Sequence, residues 1–541
     1  MKRIKFLSLA LAALALGACS SSDDVAEGGG NESNTSYVTV NIKNVGAPAT
    51  RALSSSDFED GTAEENNISS VSFCFFKSDG SAYTMQNEQG QTTNVIKKDV
   101  TMNNEPSDFN IEKVSEVVLV LNGENKVAPS SVIAVVNEDL SGTSITKSEA
   151  IAKADDYRLS SSRTNFVMSN SVYGNTKEVS LEGKVWPTAE KATENPVDIY
   201  VERVLAKVSI NLNGSDFEDT TVPGATKRIK VGKTSLGTDV FALLLGWGVA
   251  DGNAKSYLVK HLSDSYTNLG IDPWTTNDYH RSFWADAYTY DRANISYNGY
   301  KSQSFSDPFY TQENTPTTAI SAGTDIYNNN TLSKVLVIAQ LVDASNTALA
   351  ISTYRGSEYI GEADVKTAIA NFFSTKYFKG NGGTGYISIA PDDIELKTVD
   401  DLGSAAPGDM KRYEVVAQLK VPATQFYTYD GTNYNQVPSD DVNTELKKER
   451  AQVRTKGAAY YYAPIRHLAD TEGALGYYGV VRNHVYKIDI TDMKGFGTPV
   501  YDPDEVIIPE VPSDEKVYLA TKINVLSWRI VKQTVNLDKT K

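Results

Sequence analysis

The chain has 541 residues and a formal net charge of −16, with 52 lysines and arginines against 68 aspartates and glutamates. It has no basic stripe with interleaved aromatic residues, so this acidic balance argues against a nucleic-acid partner. Only two cysteines, Cys19 and Cys74, are present, so stability must come from a large apolar core.

The N-terminus carries a targeting signal. Basic residues at positions 2, 3 and 5 precede an apolar run, 6–16, that is too short to span a bilayer. Gly17 and Ala18 then precede Cys19, the arrangement that bacterial lipoprotein signals place before a lipid-modified cysteine. We predict a lipoprotein signal over 1–19 with lipidation at Cys19. The alternative is an ordinary secretory signal with an incidental cysteine.

Residues 20–51 form a predicted propeptide. A polar, glycine-containing tether is followed by an alternating stretch that places Val38, Val40 and Ile42 on one face of a strand. Arg51 and Ala52 follow a small-residue segment that should be accessible to a protease. We predict cleavage at the Arg51–Ala52 bond, although Arg51 is alternatively an ordinary surface arginine.

The rest of the chain predicts a mainly β fold. Short alternating runs rich in Val, Ile, Thr and Tyr are broken by Asn, Gly, Asp and Ser. Strands are predicted at 71–76, 114–121, 132–136, 197–212, 335–342, 413–421 and 485–490, and helices at 144–158, 363–376 and 441–456. A polar stretch at 186–195 suggests a first domain over 52–195 and a second over 196–515.

The C-terminal tail, residues 516–541, follows a proline-rich stretch at 501–514, with Pro499 just before it, that predicts an extended spacer. Apolar residues alternate along the tail, with one change of phase, as a long strand requires. Its candidate packing residues are Ile523, Val525, Leu526, Trp528, Ile530, Val535 and Leu537. The tail either extends to another molecule or folds back onto its own sheet.

Four segments carry a family resemblance. Residues 202–208, with Glu202, Arg203, Ala206 and Lys207, resemble the E-R-x-x-A-[KR] strand of the fimbrillins of Bacteroidales. Residues 478–486 resemble their GVVRN strand, and residues 166–170 resemble their "MS" segment. Residues 523–529 resemble the V-x-V-L-x-W ending of the short-fimbria (Mfa-type) major stalk subunit, with Ile523 replacing the first valine.

The resemblance to this type V pilin family implies two transthyretin-like β-sandwich domains and a defined route of assembly. It implies an outer-membrane lipoprotein precursor, cut by an arginine-specific protease, that polymerises head-to-tail with its own copies and contacts anchor and tip proteins. The product would be a surface fimbrium that serves adhesion and colonisation. A cleavage site together with a donor-like tail favours the stalk role.

The combined prediction is strand replacement. Val38, Val40 and Ile42 complete a sheet of the precursor, cleavage releases their strand, and the tail of a neighbouring copy takes its place.

The residues give little support for catalysis. The four histidines, His261, His280, His467 and His484, match no catalytic or zinc motif, and Cys74 lacks a nucleophile motif. Acidic clusters at 392–393, 440–441 and 502–505 match no EF-hand loop, which leaves calcium binding by these loops open. We predict no enzyme, no cofactor and no metal site.

The alternative function is a glycan-binding surface lipoprotein built from β-sandwiches. Residues 460–462 and 477–478 supply tyrosines for stacking on sugars, although tyrosine is also a common strand former. A glycan binder would keep residues 20–51, whereas a pilin would begin at Ala52.

Overall fold

The computed structural model describes residues 35–45, 59–87, 90–100, 111–122, 127–142, 144–171, 178–262, 283–288, 291–383, 385–422, 424–510, 518–526 and 531–532. Strands dominate these residues and the helices are short, which confirms the predicted mainly β fold. Within these ranges, no helix is long and apolar enough to cross a membrane.

The first domain is built on one eight-stranded sheet, in the order β5-β2-β7-β9-β11-β1-β6 with β10 paired to β7. Its core draws on strands such as β2 and β7, whose apolar residues are buried on both faces. Its elements are β1 (Thr35–Val45), β2 (Ser70–Phe76), β3 (Met85–Gln86), β4 (Thr92–Thr93), β5 (Val95–Asp99), β6 (Ile111–Asn122), β7 (Ser131–Val136), α1 (Lys147–Ala152), β8 (Ala154–Asp155), β9 (Met168–Asn170), β10 (Val179–Ser180), α2 (Ala189–Glu194) and β11 (Val197–Arg203).

The predicted strand over 197–212 is two strands. β11 ends at Arg203 in the first sheet, and the next strand begins at Ala206 in a different sheet. The chain therefore crosses between domains at Val204 and Leu205, and β11 belongs with the first domain although it follows position 195.

The second domain opens with the elements that precede an insertion. They are β12 (Ala206–Leu212), β13 (Phe217–Asp219), β14 (Lys227–Lys233), β15 (Asp239–Ala250), β16 (Ser256–Tyr257), α3 (Tyr297–Lys301), β17 (Phe309–Thr311) and β18 (Lys334–Val342). Gly246 and Gly248 on β15 leave room for α3, because a Cβ at Gly246 would lie 2.3 Å from the carbonyl oxygen of Tyr300.

The insertion has two sheets and a core of its own, centred on residues such as Ile369, Phe426 and Leu446. Its sheets have the orders β20-β19-β27-β24-β23 and β22-β21-β25-β26. Its elements are β19 (Ile351–Tyr354), β20 (Ser357–Ile360), α4 (Gly361–Phe373), β21 (Phe378–Gly380), β22 (Tyr386–Ser388), β23 (Ile394–Thr398), α5 (Val399–Leu402), β24 (Glu414–Leu419), β25 (Phe426–Tyr429), β26 (Tyr434–Val437), α6 (Ser439–Leu446) and β27 (Arg450–Arg454).

The remaining strands close the second domain. They are β28 (Ala458–Pro464), β29 (Val485–Lys494), β30 (Thr498–Pro499), β31 (Tyr518–Leu526) and β32 (Val531–Lys532). The sheets β17-β12-β29-β31-β32 and β13-β14-β15-β18-β28-β30 contribute to one shared core, which makes this domain a sandwich.

Three predictions of local structure are corrected. Only 147–152 of the predicted helix 144–158 is helical, and the predicted helix 441–456 ends at Leu446 and gives way to strand β27. The described part of the proline-rich stretch, which ends at Glu510, is not a free spacer, because Ile507 and the preceding Val500 are buried against the second domain. It covers the outer face of the larger sheet.

Candidate assembly site

Strand β1 occupies an interior position of the first-domain sheet although it lies within the predicted propeptide, residues 20–51. It pairs antiparallel with β6 along its whole length and parallel with β11 from Val40 to Asn44. We call this position, between β6 and β11, the β1 slot. An N-terminal segment thus holds together two strands that lie far apart in the sequence.

The inner face of β1 is part of the hydrophobic core. Val38 and Val40 are both 0% exposed and lie opposite Leu119 and Val117 of β6. Ile42 lies opposite Ile199 of β11 in the register, and its side chain falls outside the described part of the chain. The alternation of apolar residues along β1 therefore matches the alternation along its neighbours β6 and β11.

Polar contacts cover the outer face of β1. Thr39 is also 0% exposed, and its hydroxyl lies 3.4 Å from that of Thr193 on α2. Two residues further on, Asn41 donates a 3.0 Å hydrogen bond to the carboxylate of Asp198 on β11. The slot thus has an apolar floor and an outer side partly covered by a helix.

The segment that follows the predicted cleavage site is anchored at the domain junction. Arg51 and Ala52 lie outside the described residues, and the description resumes at Glu59. The Glu59 carboxylate lies 3.3 Å from the ammonium of Lys207 on β12 and also pairs with Lys487 on β29.

Glu65 strengthens this anchor. Its carboxylate lies 2.9 Å from the Lys207 ammonium and accepts a 2.5 Å hydrogen bond from the Tyr310 hydroxyl. Burial alone would raise the pKa of Glu65, but the hydrogen bonds from Tyr310 and Lys207 outweigh it and hold the pKa below its usual value.

The tail lies on the edge of its own second domain. β31 pairs antiparallel with β29, with Ile523 opposite Ile488 and Val525 opposite Tyr486, and β32 folds back on β31. Leu526 lies opposite Val485. The predicted residues Trp528, Ile530, Val535 and Leu537 fall outside the described residues, as does Cys19. This arrangement is the second of the two alternatives that the sequence left open.

Residues of the E-R-x-x-A-[KR] motif and of the GVVRN motif lie in a buried polar junction between the domains. Arg203 is 0% exposed, donates to the backbone oxygen of Glu65 at 2.8 Å and reaches the side chain of Asn483 at 3.2 Å. Residues from the E-R and R-N motifs therefore meet each other across the junction.

Two buried ion pairs complete this junction. Glu202 pairs with Lys260 at 3.1 Å, and Arg482 pairs with Glu313 at 3.2 Å, with all four side chains at most 1% exposed. Burial raises the pKa of Glu202 and lowers that of Lys260. Such groups stay ionised only when paired, so they fix the relative placement of the strands that carry them.

Three of the four histidines and Cys74 lie in structural surroundings, and His280 lies outside the described residues. His467 bonds through its two ring nitrogens to the Tyr486 hydroxyl at 2.8 Å and the Phe283 carbonyl at 2.7 Å. His484 is buried, and His261 lies 2.7 Å from a backbone oxygen. Burial raises the pKa of the Cys74 thiol to about 12.

Within the described ranges, no group of three His, Cys, Asp or Glu side chains is arranged to hold a metal ion.

The tyrosines proposed for sugar stacking are buried. Tyr460, Tyr461, Tyr462, Tyr477 and Tyr478 are each at most 5% exposed. Tyr461 faces the core of the sandwich, whereas Tyr460 and Tyr462 lie under the proline-rich stretch and α3. These rings therefore serve packing, and the version of the glycan-binding hypothesis that used them is wrong.

Comparison with known families confirms the predicted resemblance to the fimbrillins. Residues 453–534 match the family model described as "Major fimbrial subunit protein type IV, Fimbrillin, C-terminal". This segment contains β28 to β32, and therefore both described strands of the tail, together with the GVVRN motif between β28 and β29. The closer likeness to the Mfa-type stalk subunit stays a prediction. No protein with a curated description matches the chain.

Three solved structures are similar to this chain at low sequence identity. A fimbrillin (fimA) from Porphyromonas gingivalis W83 is 11% identical with a TM-score of 0.34, covering 92% of this chain and 99% of that one. The tip fimbrial protein Mfa3 from Porphyromonas gingivalis is 12% identical with a TM-score of 0.32, covering 91% and 100%. A fimbrial assembly protein from Parabacteroides distasonis is 13% identical with a TM-score of 0.29, covering 60% and 85%.

Proposed function

We propose that this protein is the stalk subunit of a cell-surface fimbrium that polymerises by strand replacement. The observation that supports this most is the β1 slot, a core position filled by a strand of the leader. The covalent link from β1 to the rest of the domain is the segment that contains Arg51. One cut therefore converts an intramolecular strand into a separable peptide.

Cleavage changes the energetics of the slot. Before the cut, β1 is held at a high effective concentration by its own chain, and afterwards it can diffuse away. Its departure uncovers the edges of β6 and β11 and an apolar floor that includes Leu119. An unpaired edge beside exposed apolar side chains is a template for another strand.

The new N-terminus stays in place while the leader departs. Glu59 and Glu65 tie the following residues to Lys207 and Lys487 on the second domain. The released piece is therefore confined to the leader, and the domain junction keeps its buried contacts. This separation lets the slot open without loosening the subunit.

The tail of a neighbouring copy is the proposed replacement, because it resembles β1 in sequence. Val40-Asn41-Ile42 of β1 and Ile523-Asn524-Val525 of the tail share an apolar–Asn–apolar pattern. If Asn524 takes the position of Asn41, its amide can donate to Asp198, as Asn41 does. Asn524 would then set the register of the incoming strand.

The same pattern selects a direction for the incoming strand. In the direction of β1, Lys522 would fall at the position of Thr39, which is fully buried beneath α2, where an ammonium group is costly. In the reverse direction, Leu526 takes that position. Trp528 then takes the place of Tyr37, and Lys522 that of Lys43. We therefore propose that the tail enters reversed, parallel to β6 and antiparallel to β11.

Strand exchange of this kind generates a filament. The slot and the tail are different surfaces, so each contact is head-to-tail and does not close on itself. The tail is stored on the edge of β29 until a neighbour's slot opens. Lipidation at Cys19 would hold the precursor at the outer membrane. An arginine-specific protease then starts assembly. Anchor and tip proteins occupy the two ends of the filament.

The test of the proposed function is the mature N-terminus of surface material combined with electron microscopy. We expect wild-type protein to begin at Ala52 and to form filaments, and Arg51→Ala protein to remain a lipid-anchored monomer. Arg51→Lys is the matched control, because it keeps the charge but removes the arginine. An arginine-specific protease should leave this variant uncut as well. Wild-type protein that begins at Cys19 without filaments would contradict the proposal and favour the glycan-binding lipoprotein.

A second experiment deletes residues 517–541. The protein should still be exported and cut, because the slot and cleavage segment are intact, but it should not polymerise. Filaments from the truncated protein would exclude the tail as the replacing strand.

Cysteine pairs across subunits test the direction of the tail. Val120 lies opposite Tyr37, and Val118 lies opposite Thr39. The pair Val120→Cys with Trp528→Cys should form an intermolecular disulfide under mild oxidation if the tail enters reversed. The pair Val118→Cys with Lys522→Cys should do so if the tail keeps the direction of β1. Neighbouring strands bring paired Cα atoms within disulfide range.

A further inference from the structure

The insertion carries a surface that the assembly mechanism does not use. In the sheet β22-β21-β25-β26, one face packs Phe426 into the core of the insertion, where it is 0% exposed. Because side chains alternate between the faces of a sheet, the pairing of Phe378 with Tyr427 and of Tyr429 with Tyr434 defines the other face. That face carries Phe378, Tyr386, Tyr427, Tyr429 and Tyr434, which we call the aromatic platform.

The rings of the aromatic platform contact one another. Tyr386 stacks on Tyr434 with ring centroids 3.9 Å apart and planes 15° from parallel, and it meets Tyr427 edge-on at 4.8 Å. Tyr429 and Phe378 each lie against Tyr434, at 4.8 Å and 5.2 Å. The rings therefore support each other, and little conformational entropy is lost when a ligand binds them.

The aromatic platform remains open to solvent. Tyr386 is 41% exposed and Tyr429 is 47% exposed, in contrast to the buried tyrosines of β28. Gly380 lies opposite Tyr386 in the register, and a Cβ there would meet nothing within 4 Å. A cluster of exposed aromatic rings on a soluble domain is typical of a binding surface.

The edge of the aromatic platform is polar and negatively charged. Gln436 is exposed and lies opposite Tyr427. At the turn between β25 and β26, Asp430 accepts a 2.8 Å hydrogen bond from the Asn435 amide. Backbone hydrogen bonds from Asn433 and Thr432, together with this amide, lower the pKa of Asp430, so its carboxylate stays ionised at neutral pH.

We infer that the aromatic platform binds neutral glycans. The apolar C–H face of a pyranose ring stacks on an aromatic ring, and its hydroxyls match tyrosine hydroxyls, amides and a carboxylate. The ionised Asp430 and the net charge of −16 disfavour phosphates, nucleic acids and acidic sugars. All the rings except Phe378 carry a hydroxyl, which suits a hydroxylated ligand better than an apolar protein surface. In a filament, repeated copies would add avidity to a weak single site.

The experiment uses the full-length Arg51→Ala precursor, so that binding is measured without polymerisation. Native gels containing mannan, dextran or galactomannan measure retardation, with heparin and polysialic acid as anionic probes. We expect at least one neutral polysaccharide to retard the protein. The double variant Tyr386→Ala with Tyr429→Ala should weaken that binding about tenfold.

The matched control removes exposed apolar side chains elsewhere. Leu236 is 70% exposed and Val421 is 56% exposed, and Leu236→Ala with Val421→Ala should bind like the parent. Tyr386→Phe keeps the stacked ring and should bind within about twofold of the parent, which keeps the test valid if the double variant misfolds.

Three results would overturn the inference. The first is retardation by none of the neutral polysaccharides, and the second is equal weakening by the control pair. The third is platform-dependent retardation by heparin or polysialic acid alone. Self-association of the Arg51→Ala precursor that the platform variant loses, without retardation by any neutral polysaccharide, would instead assign the surface to a second copy of the chain.

Discussion

The most direct test of the β1 slot weakens the strand without touching the cleavage site. Val38→Ala and Val40→Ala shorten two apolar side chains of β1 that are fully buried in the first-domain core. The backbone pairing with β6 and β11 stays available to the variant strand. The double variant should therefore fold but should release β1 more often.

The magnitude follows from the buried surface. Each substitution removes the equivalent of two methylene groups, worth about 0.8 kcal/mol each on burial. The pair thus loses about 3 kcal/mol, to which incomplete collapse of the cavity adds. Since about 1.4 kcal/mol corresponds to a factor of ten, the open slot should be populated on the order of 100-fold more often.

The assay is uptake of a fluorescent peptide with the sequence of residues 517–541 by the uncleavable Arg51→Ala precursor. The apparent affinity scales with the fraction of molecules whose slot is open. We therefore expect the double variant to bind the tail peptide on the order of 100-fold more tightly than its parent. Fluorescence anisotropy measures the binding, and circular dichroism checks that the variant is folded.

The neighbouring strand provides a matched control. Val118 and Val120 of β6 lie opposite Thr39 and Tyr37 and are 39% and 45% exposed. Val118→Ala with Val120→Ala removes the same atoms from the solvent side and should change binding by no more than about twofold. Equal tightening by both pairs, or no tightening in a folded Val38→Ala, Val40→Ala protein, would refute the reasoning.

Three further predictions concern the buried groups. Arg482→Met, which leaves Glu313 unpaired inside the junction, should cost about 3–5 kcal/mol of unfolding free energy in chemical denaturation. Arg450→Met, which breaks the more exposed pair with Asp409, should cost less than about 1 kcal/mol. The Cys74 thiol, with its pKa raised to about 12, should not react with Ellman's reagent at pH 8 until the protein unfolds. Because the pKa of Glu65 is lowered by folding, its contribution is present above its unfolded pKa and lost as pH falls through the folded value. The difference in melting temperature between wild type and Glu65→Gln should accordingly be larger at pH 6 than at pH 3.

Local pattern was sufficient for several strands and for the class of the fold. The runs at 71–76 and 132–136 became β2 and β7 with little change at their ends, because β-branched and aromatic residues fit a pleated, buried surface. The helix predicted at 363–376 is α4, since Val365, Ile369 and Phe373 recur on one face. In these cases the composition of the segment between two glycine- and asparagine-rich turns was enough to predict the element.

The sequence pattern did not show where a predicted strand or helix would be interrupted. Residues 197–212 look like one continuous strand, but Arg203 and Glu202 must meet partners from the second domain, and the chain changes sheet at Val204. Likewise, 450–454 carries no signal that separates it from the preceding helix, and pairing with β19 and β24 makes it a strand. Tertiary contacts outweigh weak local propensity at such places.

The sequence by itself therefore determined the alternation of Val38, Val40 and Ile42 and the apolar alternation of the tail, and it predicted the leader. Each is a local feature, written in neighbouring residues. Only the tertiary structure decided that β1 lies between β6 and β11, that the tail rests on β29, and that Tyr386 and Tyr429 are exposed while Tyr461 is buried. Strand order and burial depend on contacts between residues far apart in the chain, which no local pattern specifies.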